Sequence, residues 1–232
     1  MLFRSVEMRV LRLNGVGESH VEERVGEPLL ALGVELGYCA RPSEVDVRLI
    51  GTSEQVERGD AIVRAAFPAE LISDDGRSLE EVIVERLTTR GQTLATVESC
   101  TGGALAHRIT NVPGASRVFL AGYVTYANDA KARDAGVDPA LLAAHGAVSE
   151  PVARAMAEGA RLRTGASFSL STTGIAGPDG GTAEKPVGTV FIGLAVKDAP
   201  TVVAKHFFPR DRETFKSFAV QTARQMLLRA AS

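Results

Sequence analysis

Residues 94–109 read LATVESCTGGALAHRI. Leu94, Ala95 and Val97 make the opening apolar enough for a buried strand. Glu98-Ser99-Cys100-Thr101-Gly102-Gly103 is small and polar, as a turn requires, and residues 104–109 then open a helix. A strand that passes through a tight turn into a helix is the repeating unit of layered α/β architecture. Working outward from it, Ser78 and Glu81 have capping-box spacing ahead of a helix whose apolar stripe is Leu79, Val82, Ile83 and Leu87. Downstream, residues 118–126 read as a second strand. Ser149 is placed to cap a helix with Pro151 in its first turn. Residues 168–171 form a short strand ahead of a glycine-rich segment, and 187–196 and 201–208 form a strand pair joined through Lys197-Asp198-Ala199-Pro200. The last helix carries Phe215, Phe218, Ala219, Thr222 and Met226 on one face. Helices alternating with strands predict a layered α/β/α domain over 77–232.

Ahead of it, Ser73-Asp74-Asp75-Gly76 is a run of turn formers and marks a domain boundary. Residues 1–76 read as a small α+β module. It has a strand at 9–14, a helix opened by a Ser19/Glu22 capping box and running through Val21 and Val25, and a strand at 44–50 with Val45, Val47 and Leu49 on one face. A helix over 54–67 turns Val56, Ile62, Val63 and Ala66 inward.

The 232 residues are 45% hydrophobic and contain no Trp, an ordinary globular composition with enough apolar material for a core. No apolar run reaches the ~18 residues of a membrane span, and charges interrupt MLFRSVEMRVLRLNG, so no signal peptide is read there. Cys39 and Cys100 are the only cysteines, and both are read as reduced thiols of a cytoplasmic protein. The charge is uneven. Residues 1–76 hold 8 Arg against 14 Asp or Glu, while 77–232 hold 18 Lys or Arg against 14 Asp or Glu. An acidic first part argues against nucleic-acid binding, and a mildly basic second part tolerates a phosphorylated small molecule.

Four places can carry chemistry. At the strand-to-helix turn, Ser99 is either a helix cap or a nucleophile, and backbone N–H groups at a helix start attract a phosphate or an oxyanion. Thr101, Gly102 and Gly103 belong to the same turn. The second place is Gly114-Ala115-Ser116, followed by Tyr126 and Lys131. None of the four His sits in a triad setting, and a desolvated lysine can substitute as the base. The third is residues 173–181, with Thr173, Gly174, Gly177 and Gly180, a loop suited to lie against a ligand. The fourth is Arg210-Asp211-Arg212, where an Arg can clamp a phosphate. Metal-ligand spacing, a P-loop and a dinucleotide fingerprint are all absent from the sequence.

TVESCTGGALAHRIT, VPGAS, YVTYANDAK, HGAVSEP and TTGIAGPDGGTAEKPVGTVFI occur in this order ahead of the Arg212 segment. Together they resemble the C-terminal domain of the CinA family, over roughly residues 77–229, and residues 1–76 resemble the small KH-type domain that precedes it. The resemblance implies a cytoplasmic, metal-free and cofactor-free Ser/Lys amidohydrolase of pyridine-nucleotide salvage. It would convert nicotinamide mononucleotide to nicotinate mononucleotide and ammonia, as a homodimer, without nucleic-acid or membrane partners. Ser99, Ser116, Tyr126, Lys131, Thr173 and Arg212 fall on the family's active-site positions. Of the two serines, Ser116 is narrowly preferred as nucleophile. Tyr126 and Thr173 are expected to orient the dyad and donate hydrogen bonds. Thr101, Gly102, Gly103, Gly174, Gly177, Gly180 and Arg212 are expected to line the substrate. The sequence departs from the family pattern at Ala115, where serine is common, at Thr173, where serine occurs, and at Arg210, often glycine. The family's usual first domain, similar to molybdopterin-binding proteins, has no counterpart here, so nothing supports its ADP-ribose pyrophosphatase activity. Two other readings remain open: a non-catalytic binding module, disfavoured by the acidic first part and its lack of a G-x-x-G turn, and an amidohydrolase of a different small nucleotide.

Overall fold

The computed structural model describes residues 6–41 and 43–231. The first five residues, part of the stretch read above for a signal peptide, lie outside it. The chain divides into two compact units, one ending at Val82 and the other beginning at Ile83.

The first unit is a four-stranded antiparallel sheet with helices on it. Strands β1 (Glu7–Asn14), β2 (Glu35–Arg41), β3 (Glu44–Gly51) and β4 (Leu71–Ser73) are arranged β2-β3-β1-β4. Val45, Val47 and Leu49 of β3 are buried with Leu11 and Leu13 of β1. Against them pack a helical stretch, made of α1 (Glu18–Val21), a π-helical segment (Glu22–Gly26) and α2 (Glu27–Leu30), and the long helix α3 (Ser53–Ala66). The alternation in 44–50 and the inward Val56 and Val63 of α3 are as the sequence predicts. Three details differ. β2 and β4 are additional strands; β2 carries three exposed residues in a row, and β4 has only three residues, so neither shows a clean alternation. The first helix is capped by Gly17, with no side-chain hydrogen bond, so the Ser19/Glu22 capping box does not form. The box is instead made by Thr52 and Gln55 at the start of α3.

The second unit carries a five-stranded sheet in the order β6-β5-β7-β8-β9. Its strands are β5 (Leu94–Glu98), β6 (Phe119–Val124), β7 (Phe168–Gly174), β8 (Thr189–Val196) and β9 (Val202–Phe207). β6, β5 and β7 run parallel, while β8 and β9 are antiparallel additions. Every residue of β5 is buried, as a central strand covered on both faces must be. The helices are α4 (Leu79–Thr89), α5 (Ala104–Thr110), α6 (Asn128–Ala135), α7 (Pro139–His145), α8 (Glu150–Thr164) and α9 (Arg212–Ala230). Side chains alternate across a strand, so neighbours in β7 report the two layers. Ser171 donates to the Ala153 carbonyl of α8, whereas Thr172 meets Thr101 at the entrance of α5. Val97 clusters with Val152, Met156 and Ala160 on the α8 side, and α9 lies against α5, β7 and β8. The result is the expected helix–sheet–helix sandwich.

The Ser78/Glu81 capping box forms as expected. Ser149 occupies the N-cap position of α8, but its hydroxyl donates back to the Gly146 carbonyl instead of capping. The buried face of α9 is Phe215, Ala219, Ala223 and Leu227, with Phe218, Thr222 and Met226 only partly covered. No helix among the described residues is long and apolar enough to cross a membrane.

Candidate active site

The carboxyl ends of β5 and β7 and the loop after β6 meet at one cavity of about 200 Å³. Ser99 and Cys100 follow β5; Tyr126, Asn128 and Lys131 come from the β6–α6 connection and the first turn of α6. Thr173, Gly174 and Ala176 end β7, Ala147 and Val148 come from the loop before α8, and Arg212 opens α9. Ligand sites at the carboxyl edge of a parallel sheet follow from this architecture, because the loops there converge and can vary without disturbing the core.

Lys131 is the centre of the arrangement. Its side chain is only 1% exposed. The amine donates to the Thr125 carbonyl at 2.9 Å and the Tyr126 carbonyl at 3.2 Å, and it lies 3.1 Å from Ser99 Oγ. Burial holds the amine below the ordinary lysine range, because the charged form loses hydration that the neighbours only partly replace. Asp or Glu contributes no counter-charge to that shift. The geometry suits both protonation states. The charged ammonium has three donors and three acceptors around it. When neutral, it keeps two N–H bonds on the two carbonyls and turns its lone pair to Ser99 Oγ, whose proton it can then accept.

Ser99 is held by its neighbours. Its backbone N–H donates to the Thr172 carbonyl at 2.9 Å, and its own carbonyl accepts from Gly102 N at 3.1 Å. Beneath the turn lies Glu98, fully buried. One carboxylate oxygen accepts from Thr101 Oγ1 at 2.7 Å, Gly103 N at 3.1 Å and Leu105 N at 2.9 Å; the other accepts from Ala106 N at 2.8 Å. The anion attracted by the start of α5 is therefore the protein's own carboxylate. For the N–H groups of Gly103, Leu105 and Ala106 the sequence-based reading as an oxyanion or phosphate site is corrected accordingly, since these donors are already used. Thr101 is likewise buried. Its proton goes to Glu98 and its oxygen lies 2.6 Å from Thr172 Oγ1, so it does not face a ligand. Gly103, whose N–H is bound to Glu98, is also structural.

Tyr126 and Arg212 close the mouth. Arg212 Nη2 donates to Tyr126 Oη at 2.8 Å and Nη1 to the Gly177 carbonyl at 2.8 Å. Tyr126 Oη, acting as acceptor there, keeps its own proton to donate. Thr173 is different: its hydroxyl donates to the Ala147 carbonyl at 2.7 Å. It holds the loop before α8 against the cavity and offers a ligand only lone pairs, contrary to the donor role expected for it. Gly174 lines the cavity, and Gly177 contributes its carbonyl to Arg212. At Gly177 a side chain would fall 2.6 Å from Val187. Gly180 does not line the cavity; it lies near Ile175.

Ser116 stands elsewhere. It is exposed, follows Ala115 in a short 3₁₀ turn, and lines a separate cavity of about 430 Å³ formed by residues 110–116 and Phe119. Lys131 is brought to Ser99 and not to Ser116. Cys100 shares the Ser99 cavity, but burial pushes its thiol up to about 12, so it holds no thiolate near neutral pH. Asn128, Ala147, Val148 and Ala176 also line the cavity; all four fall within the quoted motifs, and nothing local in the sequence distinguishes them from structural residues. Among the described residues no three His, Cys, Asp or Glu side chains gather as a metal site would need.

Comparison with known proteins gives one consistent family. The model of the CinA C-terminal domain matches residues 76–231 and that of the damage-inducible protein CinA KH domain matches residues 8–66. A CinA-like protein of Akkermansia muciniphila is 47% identical over 224 residues, covering 96% of this chain and 54% of that relative. One from Geobacter metallireducens is 39% identical, covering 97% and 56%. The chain thus spans about half the length of these curated relatives. Among solved structures, the competence/damage inducible protein of Agrobacterium tumefaciens superposes with a TM-score of 0.63 at 37% identity, over 67% of this chain and 98% of that one. A CinA superfamily protein of Escherichia coli superposes with a TM-score of 0.63 at 36% identity, over 66% and 88%.

Proposed function

The chain belongs to the CinA family, and on that premise we propose that it is an amidohydrolase that deamidates nicotinamide mononucleotide, with Ser99 as nucleophile and Lys131 as general base. The observation that carries this reading is the contact of 3.1 Å between a buried, pKa-lowered lysine and a serine on a rigid turn. A hydroxyl needs a base to become a nucleophile, and a desolvated lysine is one of the few groups that supplies it without histidine.

The steps follow from the contacts. Neutral Lys131 takes the Ser99 proton as Oγ bonds to the amide carbon, and the C=O electron pair moves onto oxygen. As the pair returns, the C–N bond breaks and the lysine ammonium gives a proton to the leaving nitrogen, which departs as ammonia. Lys131, neutral again, then takes a proton from water, which adds to the Ser99 ester. Collapse returns the proton to Ser99 Oγ and releases the carboxylic acid. One lysine serves as base and acid in turn, which is what a group tethered by two fixed carbonyls can do without moving. The Tyr126 hydroxyl and the Arg212 guanidinium supply donors at the mouth of the cavity for the polar part of a substrate.

The test is ammonia release by the purified chain from a panel of pyridine nucleotides and ribosides in excess chelator. Turnover of nicotinamide mononucleotide to nicotinate mononucleotide is the expected result. No ammonia from any member of the panel would overturn the reading, and turnover of another amide alone would reassign the substrate.

A further inference from the structure

Lys216 lies outside every motif considered above. It stands four residues after Arg212, one turn along α9, so both side chains leave the same face of the helix. A Cβ placed on Gly102 would lie 3.5 Å from Lys216 Nζ, so the ammonium rests against the backbone of the turn that carries Ser99. Gly102 has φ +63°, where a side chain would be strained.

The surroundings offer Lys216 no anion. Among the described residues it makes no ion pair and no hydrogen bond, although it is half-buried. Glu98, under the same turn, is consumed by four donors. Asp211 accepts from the backbone N–H groups of Glu213 and Thr214 as the N-cap of α9. Arg212 has only two of its donors engaged, on Gly177 and Tyr126. Arg212 lines the Ser99 cavity, and Lys216, one helical turn on, stands outside that lining against the backbone of Gly102; neither makes an ion pair among the described residues, and two such cations are matched by a group with several anionic oxygens.

We propose that Lys216 and Arg212 together form a phosphate subsite that holds the 5′-phosphate of the substrate, with Lys216 the residue that sets the preference for a nucleotide over its riboside. The proposal rests on the amidohydrolase reading for its substrate class. The division of labour is chemical: the planar guanidinium fixes orientation through paired N–H bonds, and the ammonium adds a compact charge. The phosphate takes no part in the bond changes at the amide and is held alike in ground and transition state, so loss of this uniform binding is read in KM.

The experiment has two arms with the full chain. In the first, calorimetry with ribose 5-phosphate compares wild type with Lys216→Ala, Lys216→Glu and Lys216→Arg. Wild type is expected to bind, Lys216→Ala to weaken binding at least tenfold, Lys216→Glu further, and Lys216→Arg to restore most of it. In the second, the ratio of kcat/KM for nicotinamide mononucleotide over nicotinamide riboside is expected to collapse in Lys216→Ala through KM. Ribose 5-phosphate binding that is absent in wild type, or that stays within twofold in Lys216→Ala, overturns the proposal. If wild type releases no ammonia yet the calorimetric pattern holds, the amidohydrolase reading falls and the phosphate subsite stands. If wild type hydrolyses nucleotide and riboside equally well and Lys216→Ala does not alter that, the subsite falls and the amidohydrolase reading stands. Circular dichroism melts of all variants separate lost binding from lost folding, and recovery in Lys216→Arg is a readout that a packing role would not give.

Discussion

At the scale of single residues, Lys131 carries the most chemistry and the clearest pH signature. Its pKa in the folded chain is lowered by burial, so the active, neutral form grows as pH rises through that lowered value. The rate of amide hydrolysis is expected to rise with pH and then level off below pH 10.5, the ordinary lysine value. Lys131→Arg keeps a charge but cannot give up a proton, so it should lose turnover nearly as fully as Lys131→Ala, by at least ~10²-fold. Retention of turnover within a few-fold in Lys131→Arg would reduce the residue to an electrostatic contact. The same shift has a consequence for stability. Between the lowered pKa and the ordinary one, the unfolded chain binds a proton that the folded chain does not, so stability rises with pH across that window and falls as pH drops through the folded value. Lys131→Met should flatten this dependence in chemical denaturation curves measured at several pH values; an unchanged slope would argue that the amine stays charged.

Cys100 offers the contrast. It sits next to Ser99 and lines the same cavity, yet burial keeps it a thiol. Cys100→Ser is expected to retain most activity, and a substrate adduct mapped to Cys100 would contradict this. Residue types in a chain without a usable histidine allowed a lysine as base, and the resemblance to the CinA family implied its pairing with a serine. They did not indicate which serine. That choice depends on where the first turn of α6 delivers the lysine side chain relative to β5, a through-space fact that sequence spacing does not encode. Ser116 is close to Lys131 in sequence, whereas Ser99 is 32 residues away and in contact with it.

At the scale of elements, the turn between β5 and α5 is organised by a buried carboxylate. Glu98 replaces the water that would otherwise solvate the first N–H groups of α5, and it ties Thr101 to Thr172 of β7 through a chain of hydroxyls. Glu98→Gln keeps the shape but turns an NH₂ group toward donors, leaving buried N–H groups unsatisfied. A loss of about 1–3 kcal/mol for each such group is expected in denaturant unfolding, together with reduced turnover as Ser99 shifts. Unchanged stability would show that the carboxylate is not what holds the turn. The strand–turn–helix unit itself was legible because apolar residues, small turn residues and helix formers follow one another without ambiguity. β2 and β4 were not, because the first alternates poorly and the second is too short for any period. The start of α9 was legible as an arginine cluster, but Lys216 was not, since its meaning depends on the distant Gly102.

At the scale of the whole molecule, all the residues that line the cavity come from the second unit. The solved Agrobacterium tumefaciens chain is matched over 98% of its own length and 67% of this chain, so a chain of about that extent folds without a counterpart of the rest. A chain beginning at Arg77 keeps Ser78 as the cap of α4. It is expected to fold and to hydrolyse the amide at a rate similar to the full chain. A folded but inactive product would mean that the first unit contributes to the site. The sequence places a boundary in the turn formers at residues 73–76, whereas the two compact units divide at Val82/Ile83, within α4, because turn chemistry marks where the chain bends and not where contacts separate. The architecture of the first unit was read less completely than that of the second, where long buried strands leave a stronger pattern.

The central claim, that Ser99 and Lys131 form the catalytic pair, is tested most directly by ammonia release from nicotinamide mononucleotide by Ser99→Ala and Ser116→Ala beside wild type. Both variants remove a hydroxyl of comparable size, and thermal melts check that each is folded. The account predicts a fall of at least ~10³-fold in turnover for Ser99→Ala, the loss of an activated nucleophile and its acyl-enzyme route, with Ser116→Ala staying within several-fold of wild type. Turnover by Ser99→Ala within tenfold of wild type, or a collapse in Ser116→Ala instead, would contradict it.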